Sequence, residues 1–182
     1  MKETELRIRL FGDPALRRKA KQISRLTQRH RDVLSKMAQL MYEQSGIGLA
    51  APQVAISESM IVADVGSGLY KLVNPKVVQK EGTQALEEGC LSIPGICIKV
   101  KRAKKVKVKA LDESGKEIEI DAEGVLACVL QLEIDHLIGK VIVDYASFFD
   151  KVKIKNKLEE LKKKYKNEKL PESVTKSCKL QL

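Results

Sequence analysis

Three short runs of alternating residues do most to limit what this chain can fold into. Ile96, Ile98 and Val100 alternate with Cys97, Lys99 and Lys101. Val106 and Val108 alternate with Lys105, Lys107 and Lys109, and Ile118 and Ile120 with Glu117, Glu119 and Asp121. Successive side chains of a strand point to opposite faces, so each run has one apolar face and one polar, mostly charged face. Such strands suit an antiparallel sheet with one face on a core and the other in water. Asp112-Glu113-Ser114-Gly115 supplies a hairpin turn between the last two runs. Met60 to Val65 and Leu69 to Val73 are also strand-like, joined by Gly66-Ser67-Gly68. Asn74-Pro75 then interrupts, and Lys76 to Gln79 continues extended. Glu87 to Ser92 reads as a loop before Pro94-Gly95.

A helical period appears in three places. Thr27 can cap a helix from about Gln28 to Gln44, with Val33, Leu34, Met37, Leu40 and Met41 on one face and Gly46 at its end. A second helix is expected over Asp121 to Leu137, closed by Gly139. A third begins near Asp150, with a narrow stripe of Leu158, Leu161 and Tyr165 and lysines elsewhere. The expectation is one domain over 1–170, with the basic C-terminal helix at 150–170 and a flexible tail over 171–182. The fold class is α+β.

Composition narrows the class further. No apolar run approaches the roughly 20 residues of a membrane span. The charged start Met1-Lys2-Glu3-Thr4-Glu5 leads into no long apolar stretch, so a cytoplasmic location is the default. Cys90, Cys97, Cys128 and Cys178 form no C-x-x-C pair and are expected to be reduced thiols. The net charge is +10, and eleven lysines against four glutamates from Lys151 onward carry +7 of it. A basic tail favours a polyanion such as RNA or a ribosome surface, or simply keeps the helix solvated.

The stretch with the most chemistry is Leu130-Gln131-Leu132-Glu133-Ile134-Asp135-His136-Leu137. Two histidines four apart on a helix can share one metal, and a glutamate beside the first can take a proton from metal-bound water. Here Glu133 and His136 stand in that pattern, but Leu132 occupies the first histidine position. Val125, Cys128, Val129, Leu132 and His136 share one helix face, so Leu132 points where that histidine would. His30, the other histidine, sits on a different helix and is expected to be structural. Cys128 lies eight residues from His136, about 12 Å of helix rise, too far to share a metal with it.

Three motifs stand in order: Gly46-Ile47-Gly48-Leu49-Ala50-Ala51-Pro52-Gln53, Glu88-Gly89-Cys90-Leu91-Ser92 and Gln131-Leu132-Glu133-Ile134-Asp135-His136. Together they resemble the signature motifs of the peptide deformylase family, over roughly Leu6 to Leu158. The resemblance implies antiparallel sheets packed around a central motif helix, with a C-terminal helix. It implies removal of the N-formyl group from formyl-methionyl nascent polypeptides, using a divalent metal: iron in the cell, often zinc or nickel in preparations. The metal would be held by one Cys and two His. Carried over by position, Cys90 and His136 are metal ligands and Glu133 is the general acid/base. Gln53 and the Leu91 N–H stabilise the oxyanion. Ile47, Gly48 and Gly89 pair with the substrate backbone as an added strand. Leu86, Val125, Cys128 and Val129 line the methionine pocket, and Glu88 and Arg102 tie the site together and help hold substrate.

Leu132 departs from that pattern. Loss of one of three ligands implies weak or absent metal binding and slow or absent turnover. Leu132 is either a core leucine of a pseudo-enzyme or a one-base change from histidine in a working one. Three readings stay open: an impaired deformylase, an active one with an altered ligand set, and a non-catalytic binder of methionine-headed peptides or the ribosome. No reading implies a DNA or membrane partner.

Overall fold

The computed structural model describes residues 6–166. Along the chain run β1 (Gly48–Ala50), β2 (Met60–Ala63), β3 (Tyr70–Glu81), β4 (Gln84–Glu88), β5 (Ile98–Arg102), β6 (Lys105–Leu111) and β7 (Glu117–Glu123). The helices are α1 (Gln28–Glu43), α2 (Gly124–Leu137) and α3 (Phe148–Lys166). Five strands form one antiparallel sheet in the order β1-β2-β3-β6-β7, and β4 pairs with β5 in a second. The expected α+β class holds.

The alternating runs become strands, though not of one sheet. β6 and β7 form the hairpin across Asp112–Gly115, with Lys107 opposite Asp121 and Lys109 opposite Glu119 on the wet face. These exposed pairs (Lys109 to Glu119 is 2.8 Å) set register more than stability. β5 instead leaves for the second sheet, although only two residues separate it from β6. Arg102 at its end explains this, because its guanidinium is anchored to Glu88 on β4 and Asp135 on α2.

Four element boundaries differ from expectation. β3 runs unbroken through Asn74-Pro75, because Asn74 takes a φ of 53° and a register shift there absorbs the proline. Glu87 and Glu88 belong to β4, not to a loop, because β5 supplies their hydrogen-bonding partner. α2 begins at Gly124, since Asp121 to Glu123 extend β7. α3 starts two residues early, where the Ser147 hydroxyl accepts from the Asp150 N–H at 3.1 Å. The expected helix end beyond Lys166, the tail at 171–182 and Cys178 lie outside the described residues. Cys97, exposed just before β5, is disulfide-bonded, which corrects the expected reduced thiol; Cys90 and Cys128 are free.

α2 is buried on two sides, which explains its nearly continuous apolar sequence. Ala127 and Leu130 pack with Ile61, Leu72, Val108 and Ile120 of the large sheet. Leu132 packs with Ile93, Ile98, Val100, Ile142 and Leu161, joining the small sheet to α3. Gly139 closes α2 with a φ of 75° and presses against the Arg17 carbonyl, where a Cβ does not fit. α1 closes the third cluster, with Leu34, Met37 and Met41 against Leu49, Met60 and Val62. His30 sits at its first turn, where its Nδ1 accepts the Thr27 N–H at 3.0 Å. That is a capping role, as its isolation in the sequence suggests.

Candidate active site

β1 is an edge strand, so one side of its backbone stays open for another strand. Ile47 and Gly48 lie along that edge, and Gly89 follows the end of β4. Gly48 has a steric reason. A Cβ there would overlap the Glu133 carboxylate and stand 2.8 Å from Val129 Cγ1. The strand and α2 approach so closely only because that side chain is missing. Gly48→Ala should therefore destabilise the protein by about 1–3 kcal/mol through overpacking, read by urea denaturation.

Cys90 comes from the loop after β4 and His136 from the last turn of α2. Cys90 Sγ lies 3.3 Å from His136 Nε2, so the two donors converge. The Gln53 amide donates to Cys90 Sγ at 3.4 Å and to Ser92 Oγ at 3.2 Å. Its carbonyl accepts the Ala50 N–H at 2.8 Å, which fixes the amide's orientation. Burial, then the neighbouring Glu133, pushes the Cys90 thiol up to about 12. Burial pulls His136 down to about 4, against the opposing pull of Asp135, so the imidazole is neutral.

Glu133 is buried at 3% exposure, and burial raises its carboxyl to about 8, with Arg102 opposing. Raised and lowered values act on stability with opposite signs. The folded protein holds the Glu133 proton above its ordinary 4.5, so stability falls as pH rises toward 8. His136 resists protonation below its ordinary 6.5, so stability falls as pH drops toward 4. The two slopes cancel between these ordinary values, and above neutral pH the Glu133 slope acts alone. We expect the metal-free protein to lose about 2 kcal/mol between roughly pH 6.5 and 8. Glu133→Gln should flatten that decline in urea titrations at each pH; an unchanged slope would contradict the assignment.

A network that is buried at Arg102, Glu88 and Cys128 and reaches the surface at Tyr145 stands behind these groups. Arg102 donates to Glu88 through Nε at 2.5 Å and Nη2 at 2.8 Å, and to Asp135 through Nη1 at 2.6 Å. The Cys128 thiol donates to Glu88 at 3.0 Å, and the Tyr145 hydroxyl to Asp135 at 2.7 Å. Val129 lies beside Gly48, while Leu86 on β4 and Val125 at the start of α2 are half-buried. The Leu91 side chain packs beside Gly46.

A three-donor metal site does not fit these residues. Leu132 is 8% exposed and belongs to the apolar cluster that borders Cys90. Among the described residues no group of three or more His, Cys, Asp and Glu converges to hold a cation. Glu133 Oε2 and His136 Nδ1 are buried without a hydrogen-bond partner among the described residues. Two donors and a hydrocarbon side chain therefore face each other.

Sequence reasoning missed Ser92, Asp135 and Tyr145. Ser92 is fully buried beside Gln53, and only the fold brings loop and turn together. Asp135 was visible as a charge next to His136, but its partners come from β5 and the Ile142–Tyr145 turn.

The polypeptide deformylase family model matches residues 5–152. A peptide deformylase from Halothermothrix orenii is 49% identical over 141 residues, 76% of this chain and 92% of its own length. Among solved structures, peptide deformylase from Thermotoga maritima aligns with a TM-score of 0.77 at 41% identity, covering 80% of this chain and 99% of that one. A peptide deformylase from Legionella pneumophila aligns with a TM-score of 0.83 at 38% identity, covering 92% of this chain and 100% of that one.

Proposed function

The chain belongs to the peptide deformylase family, and on that premise we propose that it keeps the family's formyl-methionyl peptide cleft around an impaired metal site. Leu132 carries this reading: an apolar side chain occupies the position of a first histidine ligand, while Cys90, His136 and Glu133 remain. The open edge of β1, with Ile47 and Gly48, and Gly89 after β4 would take the peptide as an added strand. Leu86, Val125, Cys128 and Val129 would line the methionine pocket. Gln53 and the Leu91 N–H would face the carbonyl oxygen, and Glu133 would hold the proton. Glu88 and Arg102 would keep the wall of the cleft in place. Deformylation by the unaltered chain is then weak or absent.

Metal analysis of anaerobically purified protein, with a formyl-methionyl peptide assay, tests this. The expected result is far less than one iron, nickel or zinc per chain and turnover well below the ordinary range of about 1–10³ s⁻¹. Stoichiometric metal with ordinary turnover would overturn the reading.

The basic C-terminal helix would add a ribosome contact from within the same domain. Lys151, Lys153, Lys155, Lys163, Lys164 and Lys166 are exposed on α3. Removing the helix after Asp150 should weaken co-sedimentation with ribosomes, most clearly at low salt. Unchanged pelleting would remove that contact.

A further inference from the structure

A second concavity lies on another face of α2, and Arg102, Asp135 and Tyr145 of the network behind the cleft form part of its wall. Gln131, Ile134 and Asp135 line it from α2 and Ile138 from just past its end, at the spacing of one helix face. Val129, Leu132 and His136 belong to a different face. The groove encloses about 920 Å³, ample for a small organic ligand.

Its lining is strongly one-signed. Lys19, Lys76, Lys80 and Lys101 reach it from three segments of the chain, and all four are exposed. None has an ion-pair partner among the described residues. The lining carboxylate is Asp135, already committed to Arg102 and Tyr145. Four uncompensated ammonium groups therefore surround one space. Beneath them the floor is apolar, with Val77, Ala103 and Ile134 packed onto the main core.

Four cations around a small space call for several negative charges on few atoms. A single carboxylate leaves most of the field unanswered, whereas a di- or triphosphate answers it. The apolar floor calls for a flat or hydrocarbon portion on the same ligand. A nucleotide combines both. We propose that this groove binds the phosphates of a nucleotide, free as a di- or triphosphate or carried in an RNA strand. This site is separate from Leu132, and its test reads binding, so it stands or falls independently of deformylation.

The test uses the full chain with ATP and with a short oligouridylate as probes, followed by calorimetry at low salt. Lys80→Glu/Lys101→Glu should weaken ATP at least tenfold, and Lys163→Glu/Lys164→Glu on α3 should leave it within twofold. Should the first pair disturb the fold, Lys19→Ala/Lys76→Ala carries the same expectation. ATP binding with that pattern supports the free nucleotide as the source. Oligouridylate binding with that pattern, uncontested by ATP, supports the strand. The proposal is overturned if neither probe binds, if both lysine pairs matter equally, or if a glutamate oligomer displaces the probes as well as phosphate does.

Discussion

Leu132→His should restore metal binding to this chain and raise deformylation of a formyl-methionyl peptide by at least about a hundredfold. Altering a group that merely supports a ligand costs about 10–100-fold in affinity or activity, and a lost ligand costs more. The replacement imidazole would lie one helical turn before His136, on the same face, where Cys90 already converges with His136. The change carries a second signature that a gain of activity alone would not. Without metal, an imidazole enters the apolar cluster of Ile93, Ile98, Val100 and Ile142, at a cost of about 1–3 kcal/mol. With metal, binding to the folded state alone restores stability in proportion to the logarithm of free metal. The variant should thus melt below the unaltered chain in chelator and above it in nickel or zinc. A folded variant that stays metal-free would mean that the site has changed beyond Leu132.

Arg102→Met is expected to be the most damaging single change to stability. Arg102 and Glu88 side chains are 4% and 2% exposed, and Asp135 is 14%. Removing the guanidinium strands two carboxylates in a poorly solvated interior. Breaking such a pair from one side costs about 3–5 kcal/mol. For a chain of this size that lowers Tm by roughly 10 °C or more. Glu88→Gln in the same background should recover part of the loss, since one stranded charge is then gone. A strictly additive double variant would contradict the coupling. The network also reaches the cleft, because Cys128 donates to Glu88. Glu88→Gln in the otherwise unaltered chain should therefore loosen the pocket wall as well as the fold.

Much of the fold was legible because local patterns and tertiary demands agreed. The alternation in β6 and β7 needed only a hairpin turn to become strands, and Thr27 needed only its own helix. β4 and the unbroken β3 were not legible. Glu87 and Glu88 extend only because β5 lies beside them, and Asn74-Pro75 is tolerated only because the ladder slips there. The site divides in the same way. Its donors and the missing one were written in the motifs, but Ser92 and Tyr145 became part of it through contacts between distant segments.

By itself the sequence determined the residue types: a thiol, an imidazole, a buried-helix carboxylate and a leucine at helical spacing. Those follow from identity and period, which need no partner. Only the tertiary structure decided that Cys90 meets His136, that Arg102 draws β5 away from its neighbour in sequence, and that four lysines surround one groove. Each of these depends on which segments fold against one another, and no local period encodes that.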